Sequence, residues 1–343
     1  MKFNTKCVHG GGKPDSTGAI SPAIYMSSTF THPGLGETTG FQYTRESNPT
    51  RDRLETLIAG LEEGTDAIAF SSGMAAVDAV FHLFSPGDHV ILGDDLYGGS
   101  IRLFTNIYEK NGVEFTYVGT SDLDTVQAAF KPNTKAVYIE TPTNPMMEIT
   151  DVRALSKMAH DRNALVIVDN TFLSPYFQKP LTLGADIVVH SGTKFIGGHH
   201  DVISGFTIVK DDELAAQLRL IYKTVGACLS AFDSWLVIRG IKTLALRMEQ
   251  HQKNAIALAE WLKQEPKVTK VLFPGLPEHP GYEVNKSQTT GFGGMLSFEV
   301  DSEETAKQVL EGIQLIQFAE SLGGTESLLT YPVTQTHPDL KPE

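Results

Sequence analysis

The sequence predicts an α/β protein, a mostly parallel sheet covered by helices, followed by a smaller α+β domain. Three observations predict it. Between residues 66 and about 209, short runs rich in Val and Ile recur between amphipathic stretches of helical length. After Leu214 that alternation yields to long helical periodicity over 233–264, and then to a Pro/Gly loop over 274–281. With 343 residues, 41% hydrophobic and 20% charged, the chain has the composition of a globular protein and the length for two domains.

Residues 1–50 lack the alternation and are crowded with Gly, Pro, Ser and Thr, so they are expected to form an arm lying over a partner subunit or domain. The large domain is assigned to 51–232. Its strands are predicted over 67–70, 89–92, 114–118, 136–139, 165–168, 187–189 and 206–209, where apolar and β-branched residues follow one another as a strand buried on both faces requires. Periodic segments at 123–130 and 152–161 are the helices between them. The small domain is assigned to 233–343, with a strand predicted over 294–300 and a helix over 302–310.

In open parallel sheets ligands bind beyond the carboxyl ends of the strands, where side chains and helix N-termini converge. Five of the predicted runs stop on polar, small or ionisable residues: Ser71 to Met74, Gly93 to Gly99, Glu140 to Pro145, Asp169 to Thr171, and His190 to Lys194. Five such endings on one edge predict a lined crevice. Ser71-Ser72-Gly73-Met74 opens a helix and offers hydroxyls and unpaired N–H groups to an anion. An ordinary serine cap would give the same string, but Ser191 and Thr193 bring more hydroxyls to the same edge and favour phosphate. Lys194 follows a buried run and stands among glycines. A lysine desolvated there has a lowered pKa and can form a Schiff base with an aldehyde; a strand-end lysine snorkelling to solvent is the plainer alternative. Asp169 closes an apolar strand and needs a cationic or hydrogen-bonding partner, such as a protonated pyridine nitrogen, unless it only caps its own loop. Tyr97 precedes two glycines that leave its ring room to lie against a planar ligand, although a rim tyrosine would look alike.

Other chemistries find little support. The net charge of −13 repels polyanions, which argues against nucleic acid. No stretch approaches a membrane span and the N-terminus has no signal-like apolar segment, so a cytoplasmic protein is expected. Gly10-Gly11-Gly12-Lys13 is followed by Pro14 and preceded by no strand, so it is not a P-loop. His199 and His200 are adjacent and would point to opposite sides in an extended segment, so no metal is expected. Cys7 and Cys228 are read as inert thiols.

The strings YTRESNPT, SSGMAA, DDLYGG, ETPTNP, VDNTF, HSGTK and AESLGGTES occur in this order. Together they resemble the Cys/Met-metabolism family of pyridoxal-phosphate enzymes, which includes cystathionine β- and γ-lyases, cystathionine γ-synthase and methionine γ-lyase. The resemblance implies an aspartate-aminotransferase-like fold (fold type I), pyridoxal 5'-phosphate as cofactor, and a homotetramer of two active-site dimers. It implies that Lys194 joins the cofactor aldehyde, that Asp169 holds the pyridine nitrogen protonated, and that Tyr97 stacks on the ring and protonates the leaving sulfur. Gly73, Met74, Ser191 and Thr193 would hold the phosphate, with Tyr43 and Arg45 reaching it from the neighbouring subunit. Asn144, Glu320 and Ser321 would lie at the substrate.

Gly99 stands where methionine γ-lyases resemble one another in having Cys, which argues against methionine as substrate. Glu320 stands where the γ-acting members have glutamate, while the ending SLLTYPVTQTH is similar to that of bacterial lyases acting on both bonds. The expectation is therefore a cystathionine-type carbon–sulfur lyase, with β- versus γ-elimination open. The alternatives are γ-replacement on an acylated homoserine, and a catalytically weak binding or structural subunit. Two departures qualify the resemblance. His200 replaces the family's usual Ser, and the sequence ends at Glu343, before an LRLSVG-like segment whose arginine grips the substrate carboxylate. A tail beyond Glu343, or an impaired protein, is the corresponding expectation.

Overall fold

Seven strands form the central sheet in the computed structural model, which describes residues 1–335. They are β1 (Asp66–Phe70), β2 (His89–Gly93), β3 (Glu114–Val118), β4 (Thr134–Glu140), β5 (Leu165–Asp169), β6 (Ile187–Ser191) and β7 (Gly205–Val209), in the order β1-β7-β6-β5-β4-β2-β3. Each predicted strand is present. Only β7 runs against its neighbours. The connection over 192–204 contains no helix to carry the chain back, so β7 returns antiparallel beside β6. The Val/Ile pattern is explained by burial: β2 and β7 are buried throughout, and the centres of β4, β5 and β6 are covered on both faces.

The two faces hold different cores. Tyr138, Ile167, Ile187 and Val189 pack with the helix Gly73–Phe81 on one side. On the other, Val188 and Phe206 pack with Leu54, Ile58 and Leu61 of the helix Pro49–Glu62, while Val137, Ile139, Val166 and Val168 meet the helix Val152–His160. The helix predicted over 123–130 is Leu123–Ala128.

Beyond the sheet the predicted periodic stretch divides into Ala231–Ile241 and Leu244–Leu262, broken at Lys242 and Thr243. The strand expected over 294–300 shortens to β9 (Ser297–Val300), which pairs antiparallel with β8 (Val268–Leu272). β8 escaped the sequence reading because it is half-exposed and reads VTKVL, with too little apolar character for a run. Ser302 caps the helix Glu303–Gly312 by accepting from Thr305 N. In the N-terminal segment, Phe3–His9 is a helix whose Cys7 is buried against the helix Pro49–Glu62, so the arm starts docked on its own subunit. Thr336 and His337 of the TYPVTQTH string, and the end of the small domain, lie outside the described residues.

Candidate active site

Strand alternation sets the site. Glu140, Asp169 and Ser191 each stand two residues beyond Tyr138, Ile167 and Val189, so they emerge in phase on the same face at three carboxyl ends. Glu140 and Asp169 are register partners. Burial pushes the Glu140 carboxyl well above the usual range, and the neighbouring Asp169 charge adds to this. Burial likewise raises Asp169, opposed by its hydrogen bonds from Thr171, whose N–H donates to Oδ1 at 2.9 Å. One oxygen of Asp169 thus does cap its own loop. Two desolvated carboxyls side by side resist carrying two charges, which makes this a place for a cation or a shared proton.

Glu140 has no role in the sequence reading, yet its Oε1 accepts the Tyr97 N–H at 3.0 Å and so places the tyrosine. Its signal was available: like Asp169, it closes a buried run with a carboxylate. Tyr97 is 40% exposed. A Cβ on Gly99 would strike it and would lie 3.1 Å from the Met74 sulfur, so Gly99 is what lets ring and helix start approach. Thr171 was also missed; its hydroxyl accepts the Ser191 N–H at 2.8 Å and ties β5 to β6 at the site.

Ser72 caps the helix Gly73–Phe81 through Ala75 N at 3.0 Å. The first-turn N–H groups of Gly73 and Met74 have no helical partner by geometry. A Cβ on Gly73 would fall 2.9 Å from Ser191 Cβ, so this glycine brings the helix N-terminus and the Ser191 hydroxyl into one cradle. Thr193 lies beside it, but its hydroxyl donates to Ser204 O at 3.2 Å and accepts from Ser204 N at 3.1 Å, bracing the loop that carries Lys194.

Lys194 Nζ lies 3.2 Å from Ser321 Oγ. Burial holds its pKa below that of an ordinary lysine, against the pull of Glu320 and Asp169. Gly323, at φ +82°, lets the AESLGG loop lie against the backbone of Lys194 and Phe195; a Cβ there would stand 2.5 Å from Phe195 N. His200 packs against Gly324 of the same loop and lies 3.7 Å from Glu326. Asn144 is half-buried in the turn that leaves β4, where Thr143 N donates to Glu148 O at 3.1 Å.

Tyr43 and Arg45 are not brought to this cluster in their own subunit. Arg45 lies over the Tyr43 ring and donates to Lys223 O, and among the described residues neither bonds to Ser191, Thr193 or Lys194. The remaining donor set fits pyridoxal phosphate: an amine kept neutral-prone for the aldehyde, a half-buried acid for the ring nitrogen, an aromatic face, and a cradle that a single Cβ at Gly73 would fill. Among the described residues no group of three or more His, Cys, Asp or Glu could hold a metal ion, and no helix is long and apolar enough to cross a membrane.

The sequence pattern of the family described as Cys/Met metabolism PLP-dependent enzyme matches residues 4–343. The chain belongs to this family. Its sheet and covering helices are those of fold type I, and pyridoxal phosphate is the family's cofactor. A cystathionine beta-lyase of Lactococcus lactis subsp. cremoris (strain MG1363) is 49% identical over 342 residues, which cover 99% of this chain and 90% of that protein. A cystathionine gamma-lyase of Bacillus subtilis (strain 168) is 48% identical over 344 residues, 100% of this chain and 91% of that protein. The crystal structure of cystathionine gamma-lyase from Lactobacillus plantarum complexed with L-serine superposes with a TM-score of 0.97 at 47% identity, covering 99% of this chain and 90% of that one. Two relatives named for opposite bonds match almost equally, so whole-chain identity does not choose between β and γ.

Proposed function

We propose that this protein is a pyridoxal-phosphate-dependent lyase that cleaves a carbon–sulfur bond of cystathionine, releasing a keto acid, ammonia and a thiol amino acid. The observation that carries it is Lys194: a desolvated amine held at Ser321, beside Glu320 and within the field of Asp169, in a family whose similar members are cystathionine lyases. When bound, pyridoxal phosphate supplies an electron sink for the pair left behind as the substrate loses its Cα proton.

The chain's own residues do the rest. Asp169 holds a proton on the ring nitrogen, and Gly73, Met74 and Ser191 grip the phosphate. Thr193 joins them only by releasing Ser204 O. Ser321 and Asn144 orient the substrate carboxylate, while the Lys194 amine takes the Cα proton. The Tyr97 hydroxyl, on a partly exposed residue whose backbone N–H is held by Glu140, donates a proton to the departing sulfur. Glu320, one residue from Ser321, lies where a second proton transfer at Cβ would favour γ-elimination. Tyr43 and Arg45 complete the phosphate site of a neighbouring subunit, and two such dimers form a homotetramer.

The test is product analysis with cystathionine. Pyruvate marks β-elimination and 2-oxobutyrate γ-elimination. Borohydride reduction should fix the cofactor to Lys194, as read by peptide mass spectrometry. Faster product formation from an acylated homoserine and a thiol than from cystathionine alone would replace the lyase by a γ-replacing enzyme, and label on another lysine would remove Lys194 from its role.

A further inference from the structure

Beneath the same three strand ends lies a second polar cluster, fully buried and unused by the chemistry above. Thr141, Asn170 and His190 each stand one residue from Glu140, Asp169 and Ser191, so alternation turns them to the opposite face. Glu62, at the end of the helix Pro49–Glu62, meets them there; Glu62, Asn170 and His190 are all 0% exposed. His190 Nε2 donates to Glu62 Oε1 at 2.5 Å, and Asn170 Nδ2 donates to the same oxygen at 2.8 Å. Asn170 Nδ2 also reaches Gln178 O at 2.9 Å, while Gln178 Nε2 donates to Asn170 Oδ1 at 3.1 Å and to Thr141 O at 3.3 Å. One connected network thus grips the chain neighbour of every site residue on β4, β5 and β6.

Such a network is expensive to bury. Among the described residues Glu62 Oε2 and His190 Nδ1 have no hydrogen-bond partner, and an apolar set of similar volume would pack the same space without desolvating a carboxylate. Stability alone therefore does not account for it. The network also reaches through the sheet: His190 is among the groups that oppose the rise burial imposes on Asp169, and its ring is bonded to Glu62.

We propose that Glu62, His190, Asn170 and Gln178 are positioning residues, a buried clasp that keeps the Asp169 carboxylate and the Ser191 hydroxyl placed on the cofactor face. The inference rests on the cofactor placement proposed above. Glu62→Gln preserves the shape and removes the charge. In the holoenzyme it should raise the cofactor dissociation constant about tenfold, the scale of one charge-assisted hydrogen bond. It should also change the visible absorption of the bound cofactor and lower kcat while leaving KM for cystathionine within about twofold, because the substrate carboxylate is held elsewhere. Gln178→Leu cuts the side-chain bonds to Asn170 Oδ1 and Thr141 O, leaving the backbone acceptor for Asn170 in place, and should move the same readouts. Ile58→Ala, a buried residue of the same helix outside the clasp, should lower the melting temperature and leave cofactor affinity and spectrum unchanged.

Because Glu62 acts in part through Asp169, adding Glu62→Gln to Asp169→Asn should weaken cofactor binding by clearly less than the sum of the two single effects. Wild-type affinity and spectrum in both clasp variants, or full additivity with Asp169→Asn, would overturn the proposal. Failure of both clasp variants to fold would overturn it too, by making the network a folding determinant. If Asp169→Asn alone leaves affinity and spectrum untouched, the fault lies in the cofactor placement, and the clasp falls with it.

Discussion

Lys194 shows how the burial that suits a side chain to its proposed chemistry also destabilises the fold. Its folded pKa is depressed, chiefly by burial. Below that folded value the amine is charged in both states and the fold bears the full desolvation penalty. The penalty fades as pH rises towards the ordinary lysine value of 10.5 and vanishes above it. Lys194→Met should therefore raise the melting temperature of the cofactor-free protein at pH 7, with the gain disappearing above about pH 10.5. A gain that does not depend on pH would mean that the amine is not desolvated. Asp169→Asn should fold, since Asn can still accept from Thr171 N, yet slow exchange of the substrate Cα proton by about 10²-fold or more. Near-normal exchange would reduce Asp169 to the loop cap that it also is. The strand-end carboxyl of Glu140 was as legible in the sequence as that of Asp169, but their partnership was not, because only the register between β4 and β5 shows that they face each other.

At the scale of elements, the start of the helix Gly73–Phe81 separates two roles that its sequence superposes. Ser72 satisfies Ala75 N and is an N-cap, so Ser72→Ala should cost about 1 kcal/mol of stability, measured by denaturant unfolding. Gly73 makes no such bond; its absent side chain lets the helix end stand against β6. In Gly73→Ala the new Cβ would meet Ser191 Cβ at 2.9 Å and Cα at 3.0 Å, backbone that cannot swing aside. The variant should hold pyridoxal phosphate about tenfold or more weakly, in line with the loss of one charge-assisted contact, as read by fluorescence titration. Unchanged affinity would place the phosphate elsewhere. Element existence was readable wherever burial on both faces forced continuous apolar runs, as in β2 and β4 to β7. It was unreadable in half-exposed β8, and the division at Lys242 and Thr243 carries no proline to mark it.

For the whole molecule, the arm raises the question of whether one subunit is a complete catalyst. Tyr43 is 46% exposed, and Arg45 rests against the end of the helix Asp212–Val225 through Lys223 O. An arginine in that position, away from the Ser191 and Lys194 cluster of its own chain, accords with the proposal that it serves the phosphate of a neighbouring subunit. Lys194→Ala and Arg45→Ala should each be inactive alone. Mixed after subunit exchange, they should recover activity, because one site in each mixed dimer would pair an intact Lys194 with an intact Arg45. Verified mixed dimers as inactive as their parents would confine the arm to its own subunit.

What the amino-acid order determined by itself was local in origin: alternating periods that made a wound sheet, five strand endings rich in polar groups, and a desolvated lysine among glycines. These follow from rules that act over a few residues, so they survive without knowledge of partners in space. Tertiary structure alone decided which endings meet. It brought Ser321 to Lys194 across 127 positions and Glu62 to His190 across 128, contacts that depend on how helices and loops fold over the sheet and leave no trace in spacing. It also sorted neighbours by face, turning Asp169 and Ser191 to the side of Lys194 and Asn170 and His190 to the buried cluster with Glu62, because the sheet's pleat converts adjacent positions into opposite environments.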